Sequence, residues 1–278
     1  MTSAAVYAAM VDAYHSWTAR TEASSGDRWG GQTAERFRMD PRRPLSPDLE
    51  VIASYLAPSD VLVDVGGGSG RLGLPLALRC KEVINAEPSP GMQTAFKEVA
   101  AAAGITNLRQ VQASWLEAEG VAGDLCLTAH VTYFIREIEE FLRRLHRAAS
   151  TRVIICINSL ANPNATSPFH QLLYGEPSPQ VPGHRELLPV LWDLGILPDV
   201  RVLQTRAPVT AEATPEQAVE RRATAEWVRP EDRERARSLF TSHFDDLFVT
   251  TPDGVLARGS AEAKGILITW EPGHYPNV

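Results

Sequence analysis

The sequence predicts a doubly wound α/β domain, and three observations carry that prediction. Short apolar runs recur with little polar interruption: VLVDV at 61–65, EVINAE at 82–87, DLCLTA at 124–129 and TRVIICIN at 151–158. Each reads as a strand buried on both faces, as parallel strands are. Between them lie segments of about ten to fifteen residues with helical spacing, and such alternation builds βαβ units. Finally, the glycine cluster GGGSG at 66–70 follows the first run directly, where a strand turns into a helix.

The elements follow in order. Residues 4–20 place Val6, Met10, Ala13 and Trp17 at helical spacing, which predicts an amphipathic helix with that face inward. Residues 21–47 are polar, carry Gly30-Gly31 and three prolines, and read as an irregular crossing segment. Ser46-Pro47-Asp48 fits an N-cap with proline at the first helical position, opening a helix to about Leu56. A strand at 61–65 is followed by a helix at 69–80, a strand at 82–87 and a helix at 89–103 closed by Gly104. Strands at 107–113 and 124–129, a helix at 136–149 and a strand at 151–158 complete the regular part. Residues 159–185 carry five prolines and read as a loop or lid. A helix at 186–195 and a strand at 200–206 come next. Two polar helices, PEQAVERRATAEWV and PEDRERARSLFTSHF, each open with proline, and ILITW at 266–270 is a closing strand. This divides the chain into an N-terminal helical cover, 1–50, and a main domain, 51–278. Insertions at about 159–185 and 208–260 form a cap.

Composition narrows the function. The chain of 278 residues has a net charge of −7, which argues against a protein that binds nucleic acid by covering phosphates with Lys and Arg. Cys80, Cys126 and Cys156 form no CxxC pair and read as small buried hydrophobes in a reducing compartment. The opening MTSAAVYAAMVDAYHSW lacks a basic leader, and Asp12 and His15 interrupt any apolar core, so no signal peptide is expected. No run approaches the length of a membrane span. A cytoplasmic protein is the expectation. The seven histidines show no metal-ligand spacing, and neither GxSxG nor a Walker lysine occurs.

The glycine cluster fits two patterns. Gly68, Gly70 and Gly73 match the GxGxxG of dinucleotide-binding enzymes, while Asp64 followed by Gly66, Gly68 and Gly70 matches an acid before GxGxG. The acid discriminates. A pyrophosphate at the helix N-terminus would be opposed by a carboxylate nearby, whereas a ligand with a sulfonium and an ammonium would be favoured. That chemistry is S-adenosylmethionine. Glu87, at the tip of the next strand, can accept both hydroxyls of an adenosine ribose, or simply cap the following helix.

VLVDVGGGSGRLGLPLA, VINAEPSPGM, ASWLE and DLCLTAHVTYF, taken in this order, resemble the motifs of class I S-adenosylmethionine-dependent methyltransferases over residues 50–158. The segment RWGGQTAERFRMDPRRPLSPDLE resembles the lead-in of a bacterial subgroup of that family with no defined substrate. The resemblance implies a Rossmann-like sheet of seven strands with the last antiparallel. It implies Gly66, Gly68 and Gly70 against the cofactor's methionine and Glu87 on its ribose. It also implies Pro88, Ser89 and Met92 beside the adenine, with Ser114 and Trp115 on its other side. An aspartate usual after the third strand is replaced here by Ala113-Ser114-Trp115, so Ser114 or Glu117 would have to serve the adenine amine. Trp115 reads equally as core.

Strand ends are where open α/β sheets bind ligands, which places Ala129 and His130 near the transferred methyl. His130 can take a proton from the acceptor, or it can order the loop and pack on the cofactor. Tyr133 and Phe134 wall the acceptor site or belong to the core. His170 and Tyr174, in the Pro-rich segment, and Trp29 and Arg38, in the lead-in, are further candidates around the acceptor and cofactor. The expected activity is methyl transfer to an O, N or C nucleophile of a small molecule by in-line displacement, which alignment alone accelerates greatly. The alternatives are an NAD(P)-dependent oxidoreductase using Gly68, Gly70 and Gly73, and an S-adenosylmethionine-binding protein without catalysis. No metal, nucleic-acid or membrane partner is expected, and the oligomeric state is left open.

Overall fold

In a computed structural model that describes residues 1–21, 27, 29–203, 211–225 and 227–278, a seven-stranded sheet runs through the molecule. Its strands are β1 (Val61–Val65), β2 (Glu82–Ala86), β3 (Leu108–Val111), β4 (Gly123–Ala129), β5 (Ala149–Asn158), β6 (Asp199–Val202) and β9 (Gly265–Trp270). The order is β3-β2-β1-β4-β5-β9-β6. The first five are parallel, and β9 lies antiparallel between β5 and β6. The order reverses between β1 and β4, which opens a crevice beyond their carboxyl ends.

Alternate strand residues feed two apolar layers. Val63, Val65, Ile155 and Ile268 face the helices α1 (Ser3–Thr21), α6 (Ile138–Ala148) and α8 (His184–Asp193). Leu62, Leu127, Ile154 and Leu267 face α3 (Pro47–Ala53), α4 (Gly73–Ala77) and α5 (Pro90–Ala102). The inward face of α6 is Ile138, Phe141, Leu142 and Leu145, the spacing of an amphipathic helix. The Ser46 hydroxyl accepts from the Leu49 N–H and caps α3 as expected.

Several elements differ from the sequence expectation. In α1 the buried face is Tyr7, Val11, Tyr14 and Trp17, while Val6 is exposed. The aromatic residues bury more area than the small ones at the neighbouring spacing, so they take the core. The helix expected at 69–80 shrinks to Gly73–Ala77, because residues 66–72 are spent on the glycine turn. The Pro-rich segment 159–185 is no loop. It holds α7 (Asn162–Tyr174), whose Pro163 sits in the first turn, where its missing N–H costs nothing. The crossing segment contains a short helix, α2 (Gln32–Arg36). The strand expected at 200–206 is Asp199–Val202, and residues 204–206 lie outside the described ones.

The polar insertion is also more than helices. Besides α9 (Pro215–Ala223), α10 (Arg233–Ser242) and α11 (Phe244–Leu247), it contains a hairpin of β7 (Phe248–Thr251) and β8 (Gly254–Ala257), followed by α12 (Arg258–Glu262). Phe169 and Leu173 of α7 join Val219, Phe240, Phe248 and Val255 in a separate apolar cluster. The cap therefore has a small core of its own. Among the described residues no helix is long and apolar enough to cross a membrane.

Candidate active site

The crevice is floored by the loop leaving β1. Gly66, Gly68 and Gly70 all have positive φ, a backbone region that side chains disfavour. A Cβ on Gly70 would lie 2.5 Å from Leu74 Cγ and 2.7 Å from Phe96 Cδ2, so the loop presses onto the core there. A Cβ on Gly68 would meet nothing closer than Met92 Sδ at 3.6 Å. A side chain there would make only ordinary contact with Met92, so that face of the loop is uncrowded and a ligand can approach the backbone. The loop is tied to β2. Gly66 N–H donates to Ala86 O (2.8 Å), Gly68 N–H to Glu87 Oε2 (3.1 Å), and Asn85 Nδ2 to Gly68 O (3.2 Å).

Glu87 is buried, and burial raises its pKa. Its Oε1 accepts from Ser89 N–H (2.8 Å). Each carboxylate oxygen therefore keeps a second lone pair for an incoming hydroxyl. Ser89 Oγ caps α5 by accepting from Met92 N–H, and it donates to Asp27 Oδ2. Asp27 also accepts from Gly91 N–H. The lead-in is thus pinned beside Glu87: Ala34 packs on Met92 and Ala95, and Ser69 Oγ donates to Phe37 O. Trp29 rests by Phe37 with its ring largely exposed, and Arg38 pairs with Glu35 and Glu98. Pro88 is exposed between the two segments.

Asp64 sits lower than its position in the motif suggested. It is 2% exposed, and Cβ atoms on Gly67 or Gly73 would lie 2.5 Å from its Oδ2. The carboxylate is tucked under the glycine loop and the start of α4. Burial, then the charge of Glu87, push its pKa up to about 7, against the opposing effects of Arg71 and the Gly73 N–H. Asp64 Oδ2 and Asn85 Oδ1, which both crowd the same point beside Gly67, lack partners.

Beyond β4, His130 adopts φ 62, the one positive φ outside glycine among the described residues. Its N–H donates to Cys156 O (2.8 Å), which holds the turn over β5. His130 Nδ1 lies 3.4 Å from the Tyr133 hydroxyl, and that hydroxyl accepts from Asn158 N–H (2.6 Å). A tyrosine proton turned to Nδ1 would leave the ring N–H of His130 on Nε2. Burial, helped by Arg71, pushes the His130 pKa down to about 4. Tyr133 is itself buried, with its pKa raised by that burial.

From His130 an aromatic run leads to the cap. Tyr133 is followed by Phe134, Tyr14, Trp17, His170 and Trp227, with successive ring centroids 3.9–6.3 Å apart. His170 is buried against Trp227, and burial alone pushes its pKa down to about 4. The Tyr174 hydroxyl bonds Trp227 O and Arg229 N–H in the cap. The structure thus links His130, Tyr133, His170 and Tyr174 through one run of ring contacts and leaves Trp29 in the lead-in, against Phe37. Sequence reasoning missed Trp227 and Asn158, and read Trp17 only as a helix face; their sequence separation hides that they meet. Ser114 Oγ donates to Glu117 Oε2, so the two polar side chains after β3 engage one another. Trp115 is 6% exposed in the core, under the Arg144 guanidinium.

These residues fit S-adenosylmethionine better than a dinucleotide. The open face of Gly68 and the spare lone pairs of Glu87 suit an amino acid joined to a ribose. The helix N-terminus that a pyrophosphate would need is already occupied by the Asp64 carboxyl. Among the described residues no cluster of His, Cys, Asp or Glu is placed to hold a metal.

Comparison with known proteins agrees. Residues 63–157 match a family model described as a methyltransferase domain. A Dictyostelium discoideum protein described as a probable dimethyladenosine transferase is 32% identical over 107 residues, covering 38% of this chain and 34% of that one. The chain thus spans about a third of that relative's length. The solved structure of the YcgJ protein from Bacillus subtilis superposes with a TM-score of 0.55 at 14% identity, over 81% of this chain and 97% of that one. The magnesium protoporphyrin IX methyltransferase of Synechocystis, solved with bound S-adenosylhomocysteine, gives 0.50 at 16% identity, over 70% and 94%. Residues 63–157 thus resemble a methyltransferase domain, and the chain shares the fold of these solved structures.

Proposed function

We propose that this domain transfers a methyl group from S-adenosylmethionine to an O, N or C nucleophile of a small molecule. The observation that carries the reading is the pairing of an open Gly68 with Glu87, whose carboxylate is fixed at the tip of β2 with lone pairs to spare. When bound, the cofactor supplies a methyl group already activated on a sulfonium. In this reading Glu87 holds the ribose hydroxyls, Gly66 and Gly68 lie along the amino-acid part, and Ser89, Met92 and the lead-in with Trp29 enclose the adenine end. The aromatic run from Tyr133 to Trp227 lines the acceptor side and keeps water out. Net charge of −7 and a capped, aromatic acceptor side favour a small molecule over nucleic acid. Three buried free thiols suit a cytoplasmic setting.

Glu87→Ala is expected to weaken S-adenosylhomocysteine by about 1.5–3 kcal/mol, roughly ten- to a hundredfold, because a charge-assisted hydrogen bond is lost. Isothermal titration measures this directly, and unchanged affinity would remove Glu87 from the site. Thermal shift gives the complementary check. S-adenosylhomocysteine should raise Tm and NADH should not; stabilisation by NADH alone would sink the proposal.

His130 acts here as a hydrogen-bond donor through Nε2, aligning the acceptor rather than deprotonating it. Its pKa near 4 leaves it neutral at working pH and a weak base. Imidazole nitrogen NMR should therefore show a neutral His130 with its proton on Nε2 from about pH 5 upward. A His130 that titrates near the unperturbed value of about 6.5 would refute this assignment.

A further inference from the structure

Among the described residues β6 ends the sheet, pairing with β9 on one side and with no strand on the other. All four of its residues are exposed. Val200 and Val202 stand opposite Ile268 and Ile266, which enter the layer containing α8, so both valines point to that face. There Trp192 of α8 and Leu197 are also exposed, at 54% and 70%. An apolar edge of this kind is a template for strand pairing. On the opposite face Asp199 and Arg201 stand two residues apart. Among the described residues, neither side chain has an ion pair or hydrogen bond; both opposite charges are free.

We propose that β6 pairs with β6 of a second copy of this chain, joining two sheets across a twofold axis. Antiparallel pairing centred on Val200 sets Asp199 against the partner's Arg201 and Arg201 against the partner's Asp199. It also sets Val200 against the partner's Val200. Two ion pairs and an apolar pair arise from one register, which is the self-complementarity a twofold interface requires. The ladder is short against the roughly 800 Å² per partner of stable interfaces, so the dimer forms in a concentration-dependent way. The inference rests on the sheet edge and is independent of the reading of the active site.

Sedimentation equilibrium from low to high micromolar tests it. The wild type should pass from monomer to dimer. Asp199→Arg and Arg201→Asp should each weaken the dimer about tenfold, because like charges then face each other twice. The double variant should restore it. A monomer throughout overturns the proposal, as does a dimer indifferent to the single reversals, or a double variant that fails to recover. Stabilisation by S-adenosylhomocysteine, measured alongside, should be unchanged in all three variants and shows that they remain folded.

Discussion

Gly70→Ala lowers the stability of the protein by about 3 kcal/mol, whereas Gly68→Ala costs about 1 kcal/mol yet abolishes most cofactor affinity. The two glycines share a positive φ, at 85 and 57, and each variant carries the left-handed strain of about 1–2 kcal/mol. Their surroundings differ. The methyl at residue 70 would strike Leu74 and Phe96, which are 0% and 1% exposed and cannot yield without disturbing the layer below. Overpacking of this kind adds about 1–3 kcal/mol. The methyl at residue 68 would make only ordinary contact with Met92, so mainly strain remains on folding, but it fills the room a ligand would take. Thermal unfolding should thus show Gly70→Ala down by roughly 6–12 °C, with Gly68→Ala near the control Gly104→Ala. The control has the same handedness and nothing within 4 Å. Titration with S-adenosylhomocysteine should separate them the other way, with Gly68→Ala weakened about tenfold or more. Equal binding by Gly68→Ala and wild type would show that this face of the loop carries no ligand.

The contrast between these glycines explains what the sequence could and could not reveal. Strands β1, β2, β4 and β5 were legible because a buried parallel strand must be a continuous apolar run. The antiparallel β9 came from the family resemblance, since a short buried strand carries no sign of its direction. In the cap, legibility failed for identifiable reasons. Pro163 and Pro168 disguised α7, although one lies in a first turn and the other was tolerated beside a packed Phe169. The hairpin at 248–257 was overlooked despite Asp253-Gly254, a turn signal between residues that favour strands. Within the proposed site, Glu87 and the glycines stand out because the proposed chemistry demands those residue types at those spacings. The aromatic run was not, because Tyr14, Trp17, His170 and Trp227 meet only through tertiary packing of α1, α7 and the cap. For α1 the period was right and the face was off by one residue, since helical spacing alone cannot choose between Val6 and Tyr7.

Asp64→Asn should make the protein less sensitive to pH, and it tests the residue on which the choice of cofactor first turned. In the structure the Asp64 carboxyl is shifted from 3.8 up to about 7 by burial and by Glu87. Between those values the folded chain holds a proton that the unfolded chain has released. The group therefore destabilises nothing below about pH 4, and its destabilising effect grows as pH rises and is complete above about pH 7. From pH 5 to 8 the wild type should lose about 3 kcal/mol relative to Asp64→Asn in chemical denaturation. The proton has a natural place on Asp64 Oδ2, which is buried beside Gly67 without a hydrogen-bond partner. A stability difference that stays flat with pH would show that Asp64 is ionised beneath the loop. Ligand binding supplies the second half. In the proposed site the ammonium of S-adenosylhomocysteine would lie above Gly66 and Gly68, favour the charged carboxylate and draw off its proton. Affinity should then rise between pH 6 and 8, by at most about tenfold per pH unit, and Asp64→Asn should remove that slope. A slope that survives the substitution would assign the coupling to Glu87. The acid would then organise the loop without sensing the ligand.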